Sequence, residues 1–199
     1  MPRTRFRRSS CPRRRHVSPQ DHDSRYTRRH TGAPMSSHAV RGRRVVLLLD
    51  LFDQAFNRRA WHGTGLWGSI RGLTYRDALW RPGRGRHNVW EVVLHTAYWK
   101  YIVRRRLTRD PTLTFPRVGS NWPALPAKPD ATAWRRDVAL LKEEHRLLRA
   151  AIVRFPVTRL NARGWRSTWT NAQHISGIAA HDLYHAGQIQ LLKRLRGGR

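Results

Sequence analysis

Cysteine is nearly missing from these 199 residues; the one present is Cys11. An internal disulfide is therefore excluded, and a reducing compartment, the cytoplasm, is the expected setting. Acidic residues are scarce, 12 against 40 Lys and Arg, which leaves a formal net charge of +28. A field of that sign attracts phosphates, nucleic acid and acidic lipid. The basic residues are scattered, however, rather than gathered on one periodic face. Aromatic stacking motifs and a basic recognition helix are also missing, so no specific nucleic-acid partner is expected. Long apolar runs are absent too. The longest early run, Val45 to Leu49, stops at Asp50, far short of the ~20 residues of a membrane span. The upstream arginine pairs have no adequate apolar segment after them, which argues against a secretory or twin-arginine signal.

What is present divides into two regions. Residues 1–42 are arginine, serine and proline with almost no aliphatic side chains. Such a stretch cannot bury enough surface to offset its ordering entropy and is expected to be a disordered basic tail. It reads as a nucleic-acid arm, a transit peptide or a mis-called start with translation from Met35. The last is the expectation taken here. Residues 43–199 show helical periodicity and no strand alternation or internal repeat. A first helix carries Val45, Leu48, Leu49, Phe52 and Phe56, breaks near Gly63 and resumes from Leu66 to Leu73. A second follows Asn88, a candidate N-cap, and ends at Asp110-Pro111. A long crossover rich in proline and tryptophan leads to a third helix capped by Asp130, with a seam of Trp134, Val138, Leu141, His145, Leu148 and Ile152. A fourth runs from about Asn171 to Arg196, stopped by Gly197. The expected fold is all-α, a four-helix bundle with its long crossover between the second and third helices.

The fourth helix carries HDLYHAGQIQLLKRL at 181–195. Steps of three and four place His174, Ile178, His181, His185, Gln188, Leu192 and Leu195 on one seam. Imidazoles and an amide in the middle of an apolar stripe need partners, because burying them bare costs a few kcal/mol. On the second helix His95 lies near mid-seam, between Val92 and Trp99. If those two helices are neighbours, His95 meets His181 and His185. An i, i+4 histidine pair plus a third histidine from another helix suits a divalent metal with coordination positions left open. The same residues also suit a hydrogen-bonded core, and spacing alone leaves both readings open. A zincin-type metalloprotease is excluded: the residue after His181 is Asp182, not glutamate, and no His, Cys, Asp or Glu follows His185.

HDLYHAGQI at 181–189 resembles the closing motif of the DinB-like (YfiT-like) metal-binding four-helix bundle proteins, which are distinct from the DNA polymerase that shares the name. HNVWEVVLHTAYWKYIVRRRL at 87–107 resembles that family's second helix, and WHGTGL at 61–66, RP at 81–82 and NWPALP at 121–126 are similar to one uncharacterised branch. The resemblance covers roughly residues 45–196. It implies three metal ligands, His95, His181 and His185, and one divalent ion: zinc, nickel, iron or manganese. It further implies a metal-dependent transferase or hydrolase, since characterised relatives include thiol S-transferases and an isomerase that use a low-molecular-weight thiol. In that chemistry the metal holds the thiolate that attacks a small electrophile. A non-catalytic metal or small-ligand binding protein is the alternative, and a basic nucleic-acid binder with structural histidines the third. A homodimer is also expected of such bundles.

Lesser candidates surround the triad. Glu91, one turn before His95, is placed to accept its other ring proton. Gln188 is placed to orient water or substrate, or to bond between helices. Tyr184 is a candidate donor to a substrate oxyanion, with ordinary packing as the alternative. His145 is a candidate extension of the site. His62 and His87 read as loop or helix-end residues, Trp122 as a pocket wall, and Arg81 or Arg86 as anchors for an acidic thiol.

Overall fold

The computed structural model describes residues 37–197. The expectations for the tail and for a start at Met35 lie outside the described residues. Four long helices form the frame: α1 (Ser37–Phe56), α4 (Val89–Thr108), α5 (Ala131–Val153) and α6 (Asn171–Gly197). Two short ones, α2 (Leu66–Ile70) and α3 (Tyr75–Leu79), bridge α1 to α4, and a 3-10 turn (Val157–Arg159) precedes α6. Among the described residues there is no strand, only an isolated bridge between Arg163 and Thr170. No described helix is long and apolar enough to cross a membrane. Helix α1 begins at Ser37, inside the stretch expected to be tail. No proline follows Pro34 there, and lengthening an existing helix costs far less than starting one.

The helix starts follow local chemistry. Asn88 caps α4 through a reciprocal box: its Oδ1 accepts from the Glu91 N–H at 2.9 Å, and Glu91 Oε2 accepts from the Asn88 N–H at 3.0 Å. Asp130 Oδ1 accepts from the Ala133 N–H at 2.7 Å and starts α5. Thr74 and Asp77 form a second box at α3, a short helix beyond the Leu73 end that periodicity predicts. Leu73 is not helical, because Gly72 (φ 82°) turns the chain. Gly65 lies over the end of α1, where a Cβ would stand 2.7 Å from the Ala55 carbonyl oxygen. That close approach explains the second glycine of WHGTGL.

α4 packs along both α5 and α6, and α1 along α6. Two apolar clusters fill the bundle. One includes Trp90, Leu94, Ala97, Leu141 and Ile189. The other includes Phe52, Val103, Leu148, Ile152 and Ile178. Between them each core helix contributes polar residues: Lys100 on α4, Glu144 and His145 on α5, Asp182 on α6, all buried. Lys100 donates to Asp182, and both side chains are 0% exposed. The ammonium also lies 4.9 Å from the Phe52 ring centroid and 5.2 Å from that of Phe56. The apolar stripe of α6 is therefore Ile175, Ile178, Asp182, His185 and Ile189, with His181 at its edge. Leu195, expected on the seam, is 53% exposed. Pairing with Lys100 admits a carboxylate to the core and rotates the helix accordingly.

Candidate metal centre

Three histidines meet where α4 lies against α6. His95 comes from α4, and His181 and His185 from successive turns of α6. Their Nε2 atoms converge. His95 Nε2 is 3.0 Å from His181 Nε2, which is 3.1 Å from His185 Nε2. One potential ligand atom from each ring lies within 4.8 Å of the others.

The outer nitrogens decide the protonation. His95 Nδ1 donates to the Asn121 carbonyl at 2.6 Å, and His185 Nδ1 donates to Gln188 Oε1 at 2.7 Å. Each of those rings, when neutral, then presents a bare lone pair at Nε2. His181 has one proton to place. On Nε2 it can serve one neighbour fully and not both. On Nδ1 it meets nothing, because that atom is buried without a partner. Either way the cluster is under-satisfied by its own protons, and a cation among the three Nε2 atoms removes the conflict. The rings are held neutral, as ligands must be. Burial lowers the pKa of His95 to about 4. Burial, reinforced by His185 and His95, lowers that of His181 to about 3. His185 is also lowered, chiefly by burial.

The crossover completes the site. Tyr101 donates to the Leu113 carbonyl at 2.8 Å and Arg117 pairs with the buried Asp137, which ties the loop to α4 and α5. Asn121 sits in the left-handed region, φ 61°, which asparagine tolerates better than most residues. There its carbonyl meets His95 while its Oδ1 accepts from Trp99 Nε1 at 2.9 Å. Trp122 stacks on His95 at 3.9 Å between centroids and on His87 at 3.6 Å with its other face. A cleft of about 610 Å³ opens on the triad, lined by Arg86, His87, Trp122, Tyr184 and Gln188 among others.

Several expectations need correcting. Glu91 is not the partner of His95. Its carboxylate is taken by a two-pronged pair with Arg81, 2.7 Å on each arm, and by the Asn88 cap. Those partners lie on its own turn and the preceding loop, whereas the His95 ring turns to the crossover. Arg81 is thereby committed to Glu91, while Arg86 stays exposed beside the cleft. Gln188 does not bond between helices; it lines the cleft, and its Oε1 holds the His185 ring from the same helix. His145 does not extend the triad. It is sandwiched between Phe52 (4.4 Å) and Phe56 (3.7 Å), and its buried Nδ1 has no partner. Burial, with Lys100 and Arg149 nearby, lowers its pKa to about 2. His87 is part of the site wall through Trp122, whereas His62 is exposed in its loop. Tyr184 is 64% exposed at the cleft and meets the His185 ring edge to face at 5.0 Å. Sequence reasoning misses Asn121, Trp99, Lys100 and Asp182 as contributors; Asn121 stands in an Asn-Trp-Pro turn of the long crossover, and Trp99 lies on the seam one turn past His95.

An all-helical bundle whose central helices carry three convergent imidazoles defines a histidine-rich bundle class able to hold a metal ion. Residues 59–189 match the DinB superfamily, and the chain belongs to it. No curated protein and no solved structure matches the chain.

Proposed function

We propose that this protein binds one divalent metal ion through Nε2 of His95, His181 and His185 and uses it to act on a small electrophile, as a thiol S-transferase or a hydrolase. The observation that carries the reading is the conflict of protons at the triad: three Nε2 atoms converge and cannot all be satisfied by one another. Three protein ligands leave coordination positions open for a reactant. A bound ion there supplies Lewis acidity, which lowers the pKa of a coordinated thiol or water toward neutrality.

The chain's own residues prepare that chemistry. The Asn121 carbonyl and Gln188 Oε1 hold protons on the outer nitrogens, so His95 and His185 keep their lone pairs inward. Trp122, packed between His87 and His95, stiffens the ligand ring and shields it from water. Tyr184 lines the cleft beside His185, where its hydroxyl is available to an oxyanion formed on the substrate. Arg86 offers positive charge to an acidic thiol. Three imidazoles accept zinc, nickel, iron or manganese, and availability decides among them.

Metal content by mass spectrometry on untagged protein tests the reading directly. About one divalent ion per chain, lost in His95→Ala, is the expected result. No ion after reconstitution with each of the four metals would sink it. A screen of low-molecular-weight thiols with electrophiles, run on the loaded protein, then separates turnover from simple binding.

A further inference from the structure

A second cleft, about 830 Å³, lies along the same α4–α6 groove on the other side of His181. His181 lines both clefts: residues 173–178 of α6 flank this one, and 184–192 flank the first. Its walls are mostly apolar, built from Trp99, Val103, Ile178 and the exposed Trp169. Its charged groups are Arg106 and Arg166, and no acidic residue lines it. Arg106 is half-buried, and among the described residues no carboxylate or carbonyl takes its guanidinium. Partly shielded from water and with no acid lining the cleft beside it, this guanidinium is placed to receive an anion through charge-assisted hydrogen bonds. Burial already lowers the pKa of this arginine. Gly177 faces the cleft one turn before His181, in mid-helix, and a Cβ there would meet nothing within 4 Å. Glycine costs an exposed helix about 1 kcal/mol against alanine, and here it leaves room beside the triad.

We propose that this cleft binds a small organic acid with an apolar, aromatic-sized body, its carboxylate on Arg106 and its other end against the His181 side of the triad. The inference rests on the metal-centre reading for its role, since it makes this acid the substrate class presented to the ion. From Arg106 to the level of His95 is eleven residues of α4, or roughly 16 Å of helix. The arginine side chain spans part of that, leaving a length suited to one or two rings.

The test uses the full chain loaded with zinc, 1-naphthylacetate as probe and 1-naphthylacetamide as its neutral match. Binding is followed by quenching of tryptophan fluorescence, because Trp99 and Trp169 line the cleft. Wild type should prefer the acid by about tenfold or more, the scale of one charge-assisted hydrogen bond. Arg106→Gln should equalise the two probes. Arg135→Gln, an equal loss of charge at an exposed site on α5, should keep the preference and so exclude general attraction to a basic protein. Gly177→Phe should abolish binding of both probes at unchanged zinc content. Equal binding of acid and amide to wild type, or a preference that survives Arg106→Gln or Gly177→Phe, overturns the proposal. Zinc content is measured in every sample. A preference lost in Arg106→Gln on protein that holds no zinc supports the cleft and overturns the metal-centre reading alone.

Discussion

Removing one member of the buried Lys100–Asp182 pair should be far more damaging than removing both. Both side chains are wholly buried, and among the described residues Asp182 is the only carboxylate bonded to the ammonium. In Asp182→Ala the lysine either stays charged without a partner or gives up its proton. Giving it up at pH 7 costs about 4.6 kcal/mol, from roughly 1.36 kcal/mol per pH unit across the interval from 10.4 to 7. That is the ceiling, and breaking buried pairs typically costs about 3–5 kcal/mol. Lys100→Met leaves the carboxylate, whose protonation at pH 7 caps its penalty near 4 kcal/mol on the same arithmetic. The double variant Lys100→Met/Asp182→Ala strands no charge and should lose only about 1–2 kcal/mol, the scale of a small cavity. Urea denaturation followed by circular dichroism, with chelator present so that metal linkage stays out, gives all four stabilities. The pH dependence is the sharper check. In Asp182→Ala the unfolded chain binds a proton that the folded chain refuses, so its deficit should shrink by about 1.36 kcal/mol per pH unit as pH rises from 7 toward 10. The deficit of Lys100→Met should instead shrink as pH falls from 7 toward 4. Additive single losses, or deficits flat across pH, would refute this account of the pair.

Further outcomes follow from the site. His181→Ala or His185→Ala should abolish stoichiometric metal binding while far-ultraviolet circular dichroism stays nearly unchanged, whereas full occupancy in both would remove them as ligands. Gln188→Leu frees the Nδ1 proton of His185, so metal affinity should fall about 10- to 100-fold with zinc still bound at saturation, as competition with a chromogenic chelator would show. Metal-free stability should be level above about pH 7 and fall as pH drops through 6.5. Burial lowers His95 to about 4, His181 to about 3 and His145 to about 2, so the unfolded chain takes up protons that the folded one refuses. An unfolding midpoint independent of pH between 7 and 4.5 would contradict that burial. Gly65→Ala places a Cβ 2.7 Å from the Ala55 carbonyl oxygen and should cost about 1–3 kcal/mol in thermal or urea unfolding.

Local rules determined much of this protein from its residues alone. Three-and-four spacing placed the long helices, and Asn88 and Asp130 marked two of their starts because side-chain caps act within a few residues. The seam positions of His95, His181 and His185 singled them out, since imidazoles in an apolar stripe demand partners wherever the helices pack. Tertiary structure alone decided what those partners are. Glu91 and Asn121 were both available to His95, and the choice went to a carbonyl 26 residues away because the crossover is tied down over α4. The stripe of α6 turned inward at Asp182 because a lysine 82 residues earlier waits there to neutralise it. Periodicity registers which side chains share a face of one helix. It carries no information on which charge, ring or carbonyl from a distant segment will meet that face, and here such a carbonyl fixes the proton of His95, whereas that of His185 is held within its own helix by Gln188.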